Sequence, residues 1–93
     1  MIAAGRSHTC ILLDNNKVTC FGSGEDGQLG YGDNNDRNAP GDPINLPEDR
    51  TAKMIAAGEY HTCILLDNHQ VTCFGHEGHG QLGLGDNESR NAP

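Results

Sequence analysis

From His8 to Leu13 the chain reads HTCILL, and from Lys17 to Phe21 it reads KVTCF. Both are runs of β-branched and apolar residues bounded by turn formers, the pattern of a strand pair. Asp14-Asn15-Asn16 between them predicts a tight turn, because asparagine tolerates the left-handed backbone nearly as well as glycine. A loop centred on Asn15 sets Cys10 opposite Cys20 and Leu12 opposite Val18 on one face. The other face then carries Thr9, Ile11 and Leu13 against Lys17, Thr19 and Phe21. A hairpin with one solvated face alternates apolar and polar positions, and this one does not. It predicts a ribbon covered on both sides, as a sheet stacked between two others is. Around it, Ile2-Ala3-Ala4 predicts a short strand ending at Gly5, and Gly22–Gly32 a compact loop holding Gln28-Leu29 among glycines. After a polar stretch from Asp33 to Asp42, Pro43-Ile44-Asn45-Leu46 predicts a fourth short strand.

The whole unit then returns. Residues 1–40 align with 54–93 at a constant offset of 53; eleven positions differ (6, 7, 16, 17, 23–26, 31, 35 and 36) and 29 are identical. The first copy runs over residues 1–53 and the second, 54–93, stops short of the segment equivalent to 41–53. Self-similarity at such a period marks a repeat architecture. Four short strands per unit of about 50 residues is propeller geometry. The expectation is an all-β protein of antiparallel four-stranded blades, about two blades of a larger ring. The chain reads as a window from a longer array or as one protomer of a closed assembly. Met1 has a counterpart in Met54, so it is read as a repeat residue rather than as an initiator.

Composition narrows the function classes. A formal net charge of −7, with six Lys and Arg spread along 93 residues, does not supply the clustered basic surface that nucleic acid requires. No apolar run approaches the roughly 18–20 residues of a membrane-spanning helix. A chain this short buries only about 60–65% of its unfolded surface, so staples or neighbours are expected. Candidate staples are present. Cys10/Cys20 and Cys63/Cys73 each span one hairpin, where facing cysteines meet the distance a disulfide needs. Such bonds imply an oxidising compartment; the alternative is four buried thiols filling the core. A four-cysteine zinc site is disfavoured, because nine residues lie between the cysteines of each pair and the pairs lie on different blades.

At this point the residues resemble a known family. IAAG-x2-HTC-ILL, then VTCFG, then GQLG-x-GD is similar to the repeat of the regulator of chromosome condensation family, over the whole chain and twice. The resemblance implies a β-propeller, usually of seven blades. Phe21 and Phe74 stand where that family usually has tryptophan, which alters packing rather than fold.

The remaining motifs carry little chemistry. Gly22-Ser23-Gly24-Glu25-Asp26-Gly27 matches the dinucleotide fingerprint, but Gln28-Leu29-Gly30 cannot open the helix that fingerprint needs. His8 and His61, with Gln28 and Gln81, recur in both copies and are read as structural hydrogen-bonding residues. His69, His76 and His79 occur only in the second copy; with Glu77 they make a weak metal-site candidate. Glu25-Asp26 and Asp33–Asp36 lack the twelve-residue calcium pattern. Ser7 beside His8 is not a reproduced nucleophile, since Tyr60 replaces it. No cofactor, metal or catalytic residue is expected. Asn87-Glu88-Ser89 is an N-glycosylation sequon that the first copy lacks.

These observations favour a non-enzymatic propeller module for assembly or protein binding, extracellular or at the cell surface and disulfide-stabilised. Its contacts are expected in the loops that differ between copies. These are Ser23, Gly24, Glu25 and Asp26 with His76, Glu77, Gly78 and His79, and Asn35-Asp36 with Glu88-Ser89. The partner is a protein or further repeats of the same kind. The family resemblance implies one alternative, an intracellular guanine-nucleotide exchange module acting on the GTPase Ran, and an enzyme-inhibiting propeller is a third.

Overall fold

The computed structural model describes residues 1–47, 50–76 and 93. Each repeat folds as one antiparallel meander. Strands β1 (Ile2–Ala4), β2 (His8–Leu12) and β3 (Val18–Gly22) form the first sheet; β4 (Ala52–Ala57), β5 (His61–Leu66) and β6 (Val71–Gly75) form the second. The register is the one the apolar pattern demands: Cys10 faces Cys20, Leu12 faces Val18, and Thr9 faces Phe21. The second hairpin repeats it with Cys63 opposite Cys73 and Thr62 opposite Phe74. Both hairpin turns place one residue in the left-handed region, Asn16 at φ 64° and His69 at φ 68°, residue types that tolerate it. The second sheet begins at Ala52, so β4 reaches back across the boundary between copies; a bulge between Ala52 and Met54 absorbs the extra residue.

One expectation is corrected. The segment 43–46 is not a fourth strand, and each sheet has three strands among the described residues. Pro43 has no N–H to give a ladder. The segment lies along the edge of β3 with Ile44 N–H donating to the Val18 carbonyl at 2.8 Å, and it tucks the Ile44 side chain into the core.

The two sheets stack face to face with opposite faces in contact. In the first sheet the buried side is the cysteine side, with Cys10, Val18 and Cys20 fully covered. In the second sheet the buried side is the other one, with Thr62, Ile64, Leu66 and Phe74 covered. Each of these larger apolar side chains contributes roughly 1.5–3 kcal/mol by leaving water. Equivalent residues therefore have opposite fates: Val18 is 0% exposed and Val71 64%, whereas Ile2 is 68% exposed and Ile55 3%. Both cysteine pairs are joined as disulfides, Cys10–Cys20 inside the stack and Cys63–Cys73 on the open side of the second sheet.

Candidate functional site

Among the described residues, a polar clasp is buried between the sheets, and some of the residues that differ between copies meet along one edge.

The clasp is built from residues identical in both copies. Thr62, on β5, donates its hydroxyl to the Gln28 carbonyl at 2.8 Å. Its oxygen lies 2.9 Å from His8 Nε2 across the interface. Because the Thr62 hydrogen is committed to Gln28, His8 must donate from Nε2, which leaves Nδ1 as the bare acceptor. That Nδ1 is buried and has no hydrogen-bond partner. Burial drives the His8 imidazole below its ordinary value; nearby charge on His61 adds to this and the His61 backbone partly opposes it. The loop that delivers Gln28 is positioned by its own contacts. The Gln28 side chain accepts from Asp26 N–H at 2.9 Å, and Gly30, at φ 81°, stands where a Cβ would come within 2.7 Å of the Phe74 ring. His8 and Gln28 thus hold the stack together, and Thr62 joins them. The sequence offered a sign of Thr62's part, since the threonine recurs at the same place in both copies, as Thr9 and Thr62, although only Thr62 faces the partner sheet.

The variable edge lies where β1 turns into β2 and where β3 exits. Here Arg6 of the first sheet meets Glu59 of the second, with Nη1 and Oε1 2.7 Å apart, and its backbone N–H reaches the Glu59 carbonyl at 3.3 Å. The Arg6 guanidinium also lies 5.7 Å from the Tyr60 ring, which packs edge-on to His76 at 6.4 Å. Ser23 N–H bonds to the Ser7 carbonyl and His76 N–H to the Tyr60 carbonyl, tying both exits to the same edge. Positions 6, 7 and 23 of one copy and 59, 60 and 76 of the other therefore form one continuous strip. Sequence reasoning placed only Ser23 and His76 there; the differences at 6/59 and 7/60 were the signal for the rest.

Not every loop residue is available for contact. Glu25 is exposed and Asp26 half-buried, but Gly24 is buried. Its N–H bonds to Asp36 Oδ1 at 2.8 Å and the Asn35 carbonyl occupies the space a side chain would need. The loop is closed by Gly22 and Arg37, which exchange backbone hydrogen bonds. Arg37 spans it by stacking over Tyr31 at 3.9 Å and pairing with Asp33. Among the described residues no three metal-ligating side chains converge. Glu77, Gly78, His79, Gln81 and the sequon at Asn87 to Ser89 lie outside the described residues.

Comparison with known proteins adds to this geometry. Residues 2–28 and 53–81 each match the sequence model of the regulator of chromosome condensation (RCC1) repeat. The chain is 42% identical over 82 residues to the E3 ubiquitin-protein ligase MYCBP2 of Danio rerio, a match covering 88% of this chain and 2% of that protein. It is 36% identical over 90 residues to the X-linked retinitis pigmentosa GTPase regulator of Homo sapiens, covering 97% and 9%. The crystal structure of human WBSCR16 superposes with a TM-score of 0.82 at 25% identity, over 99% of this chain and 24% of that one. The chain thus spans a small part of each protein it resembles.

Proposed function

The chain belongs to the regulator of chromosome condensation repeat family, and on that premise we propose that it is a non-catalytic propeller module that binds a protein partner along its variable edge. One observation carries this reading. Residues identical between the copies build the stack and its clasp, while three of the eleven differing positions, 6, 7 and 23, meet with their counterparts on the strip of Arg6, Ser7, Ser23, Glu59, Tyr60 and His76. Arginine and tyrosine are the side chains that dominate protein interfaces, and the Arg6–Tyr60 pair presents both. The module is stapled by its two disulfides and works outside the cell, a reading supported by the pairing of all four cysteines and by the sequon at Asn87. The formal charge of −7 favours a basic protein surface over nucleic acid.

A second reading is favoured by the similarity to a protein named as a GTPase regulator: nucleotide exchange on a Ran-type GTPase. One experiment separates the two. The isotope-labelled chain is titrated with a Ran-type GTPase loaded with fluorescent GDP. Accelerated GDP release, with amide shifts confined to the variable edge, establishes exchange. The same chain, isolated without reductant and alkylated, should show no free thiols under the first reading; four alkylated cysteines overturn it.

A further inference from the structure

Where the turn of the first hairpin meets the junction between the sheets, Lys17, the segment 43–46, Arg50 and Thr51 line a pocket of about 290 Å³. Ile44 is buried there and Leu46 half-buried, while Lys17 and Asn45 are exposed. Backbone bonds fix the walls: Ile44 N–H donates to the Val18 carbonyl at 2.8 Å, Ala52 N–H to the Asn16 carbonyl at 2.9 Å, and Leu13 N–H to the Lys17 carbonyl at 2.8 Å. The two cations of the site differ in their partners. Arg50 Nη1 lies 3.7 Å from Asp67 Oδ1, and the other oxygen of that carboxylate accepts from Thr51 Oγ1 at 3.2 Å. Among the described residues no carboxylate pairs with the Lys17 ammonium, and none lines the pocket. Lys17 is also a position at which the copies differ, its counterpart being Gln70. The site is remote from the variable edge, since residues 6, 7 and 23 lie at one end of the hairpin and Lys17 at the other.

We propose that this pocket binds a short aliphatic carboxylate, its charged end on the Lys17 ammonium and its chain against Pro43, Ile44 and Leu46. Three features of the site select that chemistry. A single uncompensated lysine is a compact point charge and takes a monoanion; a bidentate anion is recognised by an arginine fork, and that of Arg50 is engaged by Asp67. The apolar residues contribute only to a ligand with carbon to bury, so they discriminate against inorganic anions. The volume lies at the lower end of small-molecule sites, roughly 300–1,000 Å³, and suits a chain of about four to six carbons. Because the backbone already holds the walls, little ordering is left to oppose binding.

The test titrates the isotope-labelled 93-residue chain, disulfides intact, with acetate, butyrate, hexanoate and inorganic phosphate, and follows amide shifts. Hexanoate should give saturable shifts centred on Lys17, Ile44, Asn45 and Leu46, with a Kd of about 1–10 mM. Each added methylene should tighten binding roughly fourfold until the pocket is filled. Phosphate, and hexylammonium with the same chain and the opposite charge, should not saturate in that range. Lys17→Gln installs the residue the second copy carries at this place, so it should unfold at the same urea concentration as the wild type. It should bind hexanoate about tenfold or more weakly, and Lys17→Arg, which keeps the charge, should retain most of the binding. A folded chain that gives no saturable shift, equal affinity for acetate or phosphate, undiminished binding by Lys17→Gln, or shifts centred elsewhere each overturns the proposal. So does tighter binding of an acidic peptide than of hexanoate, which assigns the pocket to a protein instead. Loss of this site leaves partner binding at the variable edge untouched, so the two readings fail separately.

Discussion

Replacing Thr62 with valine tests whether the stack depends on its polar clasp or on apolar packing alone. Valine matches threonine in shape, so the change leaves no cavity and removes only a hydroxyl. In the structure that hydroxyl satisfies two groups, the Gln28 carbonyl at 2.8 Å and His8 Nε2–H at 2.9 Å, and Thr62 itself is fully buried. The substitution therefore withdraws the partner of a buried carbonyl and of a buried ring N–H. Leaving such a group unpaired costs about 1–3 kcal/mol; against that, burying a methyl in place of a hydroxyl returns about 1 kcal/mol. With two groups left unpaired, the expected net loss is about 1–5 kcal/mol, out of the roughly 5–14 kcal/mol that a domain of this length possesses. Urea unfolding followed by circular dichroism reads it directly. With a slope near 1 kcal/mol/M for a small protein, the midpoint should fall by about 1 M or more with the slope unchanged. Thr62→Ser, which keeps the hydroxyl, should lose less than half as much. A valine variant within about 0.5 kcal/mol of the wild type would refute the argument, because surface-like changes lie in that range.

Three further outcomes are expected. Gly30→Ala forces a side chain into a left-handed conformation, at about 1 kcal/mol, and against a Phe74 ring that is fully buried and cannot move aside; thermal melting should show a loss of about 2–3 kcal/mol, and an unchanged melting temperature would contradict the placement of this loop. Acid should weaken the fold through His8. Its folded value lies below its ordinary one of about 6.5, so the unfolded chain binds the proton first; the His8 contribution is complete above about pH 6.5 and is lost as pH falls from there towards the folded value. Stability measured from pH 8 to 5 should carry a slope that His8→Gln diminishes, and an identical slope in that variant would sink the assignment. Cys63–Cys73 should be reduced roughly tenfold or more faster than Cys10–Cys20, because the latter must await opening of the stack. Differential alkylation with mass spectrometry reads the order. Losing the first bond should cost about 2–3 kcal/mol by loop-closure entropy.

How much of this was legible beforehand depended on whether the signal was local. The hairpin register was readable because two runs of matched length flank a three-residue turn, and a slip by one residue would set cysteine against threonine. The need for cover on both faces was equally plain from Ile11 and Phe21 on one side and Cys10 and Val18 on the other. Which face meets which neighbour was not. Both copies carry the same letters, and only the stacking makes Val18 buried and Val71 exposed. Residues 43–46 misled because apolar letters between turn formers read as a strand, while Pro43 cannot join a ladder on its donor side. The clasp was half visible. His8 and Gln28 were read as structural from their recurrence, but joining them required Thr62, which is 34 residues from Gln28 and 54 from His8 in the chain. The variable edge was similarly divided. The differing positions 6 and 7 are neighbours but position 23 is distant from them along the chain, and the backbone bond from Ser23 to Ser7 brings them to one place. The sequence of a repeat specifies its two faces fully but says nothing of their order; that order is set by how the two sheets stack.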